Sequence, residues 1–327
     1  ILIVVCALMG VTAVYVTDAR ANASHAGIEG RRLRALALSG LHAATAELFS
    51  QRDGLLAGDI EPEMPESFTI FDDPLTGEIG TVELIAFSEG GTRRIESENA
   101  KISLKRPDLL EKMPAKVRTS EIVTDANWDS QSSLDSVLER SSSSTWERLN
   151  ERIYIGQPLE ESDKEQLKAI LTQAEVDVVS QAADKAKGND TKALSIVVQS
   201  LRDGGIAPAR WGQILGMLTN SQDLFLAGRV DISRAPAEVL ACLPGLDETA
   251  ANKMVGIRAS LDAKSKASLA WPVTKGAMTV DQFQACIDTI TIRSLQWRVI
   301  LRAKIARKSQ STLSSRTEPE TIPQVAS

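Results

Sequence analysis

The spacing of apolar residues changes several times along this chain, and each change predicts a different element. From Ile1 to Val16 the sequence is almost continuously apolar, softened only at Gly10 and Thr12. That pattern reads as membrane-spanning material rather than as one stripe of a soluble helix. The run of about sixteen residues falls short of the roughly twenty a span needs. Because the chain opens on Ile and not Met, the span is expected to begin further upstream. A secretory leader is the alternative, since Ala19-Arg20-Ala21-Asn22-Ala23 has small residues at cleavage-site spacing. No proline breaks the passage into the alanine-rich stretch where Leu33, Ala37, Gly40, Leu41, Ala44 and Leu48 keep helical spacing. Arg34 and Glu47 lie off that stripe. One long helix within residues 1–57, half in lipid and half on a protein surface, accounts for both parts.

Past Gly54 and Gly58 the period shortens. Phe68 to Phe71, Ile79 to Phe87 and Arg93 to Leu104 are β-rich, separated by Asp72-Asp73-Pro74-Leu75-Thr76-Gly77 and by Glu89-Gly90-Gly91. Such turn clusters are hairpin signals, so residues 58–106 are expected to begin an antiparallel sheet. From Pro107 the pattern turns helical, interrupted by the serine-heavy loop Ser130 to Thr145. Glu160 to Lys187, Lys192 to Arg202 and Trp211 to Leu218 read as helices, punctuated by Asn189 and Gly204-Gly205. A last turn or two spans Asp281 to Ile287, closing a helical insertion over 107–287. Trp297, Val299, Leu301, Ala303 and Ile305 then alternate with Arg298, Arg302 and Lys304, which predicts a return strand within 288–308. Residues 309–327 have too few apolar side chains to offset their ordering entropy and are expected to be disordered. The fold class is α+β: a long N-terminal helix packed on an antiparallel sheet, with a large helical domain inserted.

Within the insertion, Gly228 to Arg258 predicts a short strand and then two helices in a hairpin. Val230 and Ile232 alternate with Arg229 and Asp231, as in a half-buried strand, and Ser233 is placed to cap the next helix. Pro236 suits a first turn, where a missing N–H costs nothing. Val239, Leu240 and Leu243 share a side, and Pro244-Gly245 stops the helix with a glycine that tolerates positive φ. Asp247 caps the second helix, whose Ala250, Met254 and Ile257 extend an apolar seam with Leu246.

A helix-hairpin-helix either binds DNA phosphate through its turn or is a compact packing unit. Here Asp247 and Glu248 place two carboxylates at the would-be phosphate site, with Lys253 and Arg258 the cations of the second helix. The packing reading is therefore preferred. A net charge of -6 agrees, arguing against a general nucleic-acid role. The hydrophobic content of 43% and the 327-residue length allow two or three ordinary globular domains. Three cysteines and two histidines give no zinc-type cluster. Cys242 and Cys286 would pair in an oxidising compartment or remain two isolated buried thiols, and the second reading is preferred.

With these parts in order, the chain resembles the minor pseudopilin K family of type II secretion systems. The helix around Arg31 to Leu48 is similar to the family's membrane-inserted pilin helix. Glu98-Asn99-Ala100-Lys101-Ile102-Ser103-Leu104 resembles its acidic-x-x-Lys-Ile-Asn-Leu strand, with Ser103 for the usual asparagine. Val230 to Arg258 resembles its Val-Asn-Ile-Asn-Thr-Ala-Pro segment, with Asp231, Ser233 and Arg234 for Asn, Asn and Thr. Competence-type DNA receptors share a related Asn-Thr-Ala and Leu-Pro-Gly pattern, but in them the hairpin typically ends the chain. A membrane-anchored DNA-binding protein of that type is the alternative function.

The resemblance implies a non-enzymatic subunit of the bacterial inner membrane, single-pass, with its C-terminal domain in the periplasm. It would sit at the tip of a pseudopilus beside minor pseudopilins I and J and start assembly for protein export. Gly10, Ala13, Gly40, Leu41 and Ala44 are the expected interaction positions, because small residues let helices approach closely. Calcium enters by resemblance only, with Asp125 and Asp129 as weak oxygen ligands and no EF-hand glycine or closing glutamate. No cofactor and no nucleic-acid partner are expected. His25 and His42 both fall in the N-terminal helix, and neither a Gly-x-Ser-x-Gly elbow nor a Walker-type phosphate loop occurs.

Overall fold

A computed structural model describes residues 27–57, 62–87, 93–113, 141–142, 146–148, 152–223, 225–294 and 296–307. In chain order the elements that matter below are helix α1 (27–50), strands β1 (Ser67–Asp73), β2 (Glu78–Ile85), β3 (Ile95–Ser97) and β4 (Ile153–Tyr154). Helices α2 (Gln173–Ala186), α3 (Ala193–Asp203) and α4 (Pro208–Gly216) follow, then β5 (Leu218–Thr219) and β6 (Val230–Asp231). Helices α5 (Ala237–Leu240), α6 (Glu248–Ala259) and α7 (Val280–Cys286) precede β7 (Ile290–Thr291) and β8 (Trp297–Arg307). The fold is mixed, with a four-stranded antiparallel sheet of order β1-β2-β8-β3 and many helices. Two compact units divide the described residues: one from those within 27–50, 64–94 and 299–307, the other from those within 51–63 and 95–298.

In the first unit, β1 and β2 form the predicted hairpin. Asp73 organises its turn: its carboxylate accepts the Leu75 N–H at 2.9 Å and the Thr76 hydroxyl at 2.7 Å, while Gly77 takes φ +69°. The register shifts between Thr69 and Phe71, a bulge at Ile70. The alternation read in β8 is present: Leu301, Ala303 and Ile305 are half-buried, whereas Arg302 and Lys304 are exposed. These three pair in register with Leu84, Val82 and Gly80, which puts them on the buried face of β2.

The second unit holds one core built around α2, α3, α4 and the hairpin helices, with Trp211 and Phe283 stacked 6.3 Å apart. The helix expected over Glu160 to Lys187 is two, Glu161–Lys168 and α2. The break is a capping box in which the Thr172 hydroxyl accepts the Glu175 N–H and the Glu175 carboxylate accepts the Thr172 N–H. The helix expected over Trp211 to Leu218 starts instead at Pro208, whose fixed φ suits the first turn, and Leu218 belongs to β5. Arg93 to Leu104 is not one strand: a short 3-10 turn over Glu98–Ala100 separates β3 from Ile102–Ser103. Parallel two-residue pairs, β4 with β5 and β6 with β7, stitch distant segments together.

The apolar N-terminal run, with Gly10 and Ala13, lies outside the described residues, as do Asp125, Asp129 and the tail 309–327. Among the described residues no helix is long and apolar enough to cross a membrane.

Candidate functional site

Three features gather the residues singled out by sequence: the faces of α1, the hairpin, and the polar cluster beneath the hairpin. On α1, Leu36, Gly40 and Ala44 are buried at i, i+4 and i+8, a stripe along one side of the helix. Gly40 lies against β2. A Cβ built on it would meet Val82 Cγ1 at 2.5 Å, so α1 approaches the sheet as closely as only glycine permits at that point. Glu78, at the far end of β2, accepts from Arg32 of α1 and from Arg307 of β8, and its carboxyl is held below the usual range chiefly by the Arg32 hydrogen bond. The expected stripe is thus partly corrected. Leu36 belongs to it, while Leu33 and Leu41 are exposed, 37% and 42% respectively. Leu38 and Phe49 are exposed as well, leaving α1 with apolar side chains away from its buried stripe.

The hairpin turn falls where the sequence puts it. Gly245 takes φ +76°, and a Cβ there would touch Ala285 Cβ of α7 at 3.0 Å. The Asp247 carboxylate accepts the Ala250 N–H at 2.7 Å and so caps α6. Pro244 is half-buried between Leu243 and Gly245. Ser233 does not cap α5. Its N–H donates to the Asp231 carboxylate at 2.9 Å and its hydroxyl donates to the Lys266 carbonyl at 3.1 Å, leaving Pro236 as the N-cap. Nor is β6 half-buried: Arg229 and Asp231 are as covered as Val230 and Ile232, because this two-residue strand, paired in parallel with β7, lies within the unit's core. Arg258 donates to the carbonyls of Ile232 at 2.9 Å and Ala235 at 2.8 Å, turning inward one of the hairpin's two cations.

Two of the three stretches that carry the resemblance touch, β6 packing on the turn Glu98–Ala100. Asn99, fully buried, donates to the Arg229 carbonyl at 3.4 Å and accepts from the Ser294 hydroxyl at 3.2 Å. Two residues on, Lys101 is buried with its ammonium 2.8 Å from Glu98 and 3.3 Å from Glu96. A buried charge is costly unless it is paired, so the acidic-x-x-Lys spacing has a structural reason here. Asp231 forms a similar inward pair with Arg234 at 2.9 Å.

These groups are partnered with one another inside the fold. His42 is exposed on α1, and His25 lies outside the described residues. Cys242 and Cys286 are free thiols, and burial raises them to about 11 and about 12, which removes thiolate reactivity at neutral pH. Among the described residues no cluster of three His, Cys, Asp or Glu side chains is arranged for a metal ion. Sequence reasoning missed Asp288, which accepts the N–H groups of Leu194 and Ser195 at 3.0 and 3.1 Å at the start of α3. It lies 94 and 93 positions from the two residues whose amides it accepts, so only the fold discloses it. Comparison of the chain with models of protein families, with curated proteins and with solved structures gave no match.

Proposed function

We propose that this chain is a non-enzymatic, pilin-like structural subunit of the minor pseudopilin K kind. The observation that carries the reading is Gly40 seated on Val82, a long helix drawn tightly onto an antiparallel sheet. The order of strands supports it too, since β8 returns to β2 only after the whole helical excursion. In this reading the apolar N-terminus anchors the chain in the bacterial inner membrane and the rest occupies the periplasm. The subunit starts a pseudopilus together with minor pseudopilins I and J, and the helical unit caps the tip. Leu41 and its exposed neighbours on α1 then form the assembly face, with Gly10 and Ala13 serving contact within lipid. No cofactor is needed, and calcium at Asp125 and Asp129 rests on resemblance alone.

The DNA-receptor alternative is weaker. Asp247 already occupies an α6 amide that a phosphate would use, and Arg258 is committed to internal carbonyls. A mass measurement on the mature protein from membranes tests the proposal. A retained, N-methylated apolar helix is expected, and a start near Ser24 would contradict it.

A further inference from the structure

Helix α1 carries a second stripe besides the one seated on β2. Arg31, Arg34, Leu38, Leu41, Thr45 and Leu48 recur at alternating steps of three and four, the spacing that keeps side chains on one face of a helix. With about 100° of turn per residue, this face is centred roughly a third of a turn from Leu36, Gly40 and Ala44. All but the half-buried Leu48 are exposed. The face is apolar in its middle and headed by two arginines, neither of which holds an ion pair among the described residues, whereas their neighbour Arg32 is engaged by Glu78.

The chain itself returns to this place. Strand β8 ends at Arg307, whose guanidinium meets Glu78, the carboxylate that also holds Arg32. The chain therefore leaves β8 beside the N-terminal end of α1, and residues 308–327 continue from there. Within them Glu318, Glu320 and Ile322 alternate with Pro319 and Thr321, and Pro323 follows. A residue before proline is biased to extended backbone, which sets Glu318, Glu320 and Ile322 on one side at intervals of about 6–7 Å. Along the helix Arg31, Arg34 and Leu38 are separated by rises of about 4.5 and 6 Å. Two carboxylates and then an isoleucine thus match two guanidiniums and then a leucine. The connecting residues 308–317 reach roughly 33 Å when extended, ample for the distance along α1.

We propose that residues 318–322 lie extended along this stripe, Glu318 and Glu320 on Arg31 and Arg34 and Ile322 on Leu38, and cover the face until an assembly partner displaces them. Arg–carboxylate pairs fix the register, and the apolar contact follows from it. A second copy of the chain suits the face less, since a parallel copy sets Arg31 and Arg34 against their own counterparts. Across a tether of about ten residues the effective concentration is of the order of 1 mM, so an intrinsic Kd of about 0.1 mM keeps the face covered roughly nine-tenths of the time. A weak contact is therefore enough. The docking stands on α1 and on the course of the chain, while its restraint of assembly rests on the filament reading.

The test is thiol labelling of the full chain in lipid nanodiscs, with Leu41→Cys in a Cys6→Ser background and mass spectrometry to locate the label. Adding Glu318→Arg and Glu320→Arg should speed labelling of Leu41→Cys about tenfold, and should leave Ser39→Cys, exposed on another side of α1, unchanged. Adding Arg31→Glu and Arg34→Glu as well should restore the protection, because both charge pairs are then reversed together. As an independent measurement, Leu38→Cys with Ile322→Cys should close an intramolecular disulfide under mild oxidation with diamide, and Ser39→Cys with Ile322→Cys should not. Labelling indifferent to the charges at 318 and 320, or a disulfide that forms equally from Ser39→Cys, would overturn the proposal. So would protection that grows with protein concentration, which would put a second copy on the face. Neither measurement needs a pseudopilin partner, so failure here is distinct from failure of the filament reading.

Discussion

Gly40 and Val82 meet so closely that a single added carbon on Gly40 would lie 2.5 Å from the valine's Cγ1. Valine has no flexible end to swing away, and its own burial is complete. Gly40→Ala therefore faces a steric cost of about 1–3 kcal/mol, offset by about 1 kcal/mol of improved helix propensity. A net loss of stability of up to about 2 kcal/mol is expected from denaturant melts. In the Val82→Ala background the same change should cost less, giving a coupling energy of about 1 kcal/mol or more in a double-mutant cycle. Independent, additive effects would mean that the contact does not form.

Why one contact was readable and its surroundings were not follows from particular residues. Gly40 and Ala44 mark a close-packed helix stripe by size alone, and the period-two run from Trp297 to Ile305 announces its own buried side. Leu36 could not be told from Leu33 or Leu41, because α1 carries apolar residues around much of its circumference and only the sheet selects among them. The hairpin turn was legible through Pro244-Gly245 and Asp247, which act within one turn. The parallel pairing of β6 with β7 was hidden: each strand is two residues long and its partner is some sixty positions away. The Thr172-x-x-Glu175 box was written plainly but lay inside a longer helical periodicity that masked it.

Stability should carry two pH signatures of opposite sign. The Arg210 hydrogen bond, with help from Thr172, lowers the Glu175 carboxyl from 4.5 to about 2. A lowered carboxyl favours the fold above its unfolded value, so this contribution is present above about pH 4.5 and is lost as the pH falls towards about 2. Glu175→Gln should flatten that acid slope in melts.

Burial raises Asp288 from 3.8 to about 6, against the pull of the α3 amides. A raised carboxyl favours the fold below its unfolded value, and that stability is lost as the pH climbs from about 4 through about 6. Asp288→Asn should remove the decline across this window. An unchanged pH profile in the variant would show that another group is responsible.

The hairpin should not bind duplex DNA with useful affinity at physiological salt. Asp247→Ala is expected to cost about 1 kcal/mol of stability through loss of the α6 cap, without creating salt-sensitive retention of DNA. Micromolar binding that weakens steeply with salt, and weakens further in Lys253→Ala, would restore the DNA-receptor reading.

The most direct measurement is co-purification of the full chain with minor pseudopilins I and J, comparing it with a Leu38→Glu, Leu41→Glu variant. Both leucines are exposed on α1, so the variant should keep its circular dichroism, as surface changes usually shift stability by no more than about 0.5 kcal/mol. A stable three-component complex is predicted for the unaltered chain, with at least about tenfold weaker association in the variant. No complex from folded components, or one indifferent to charges on that face, would contradict the proposed filament role.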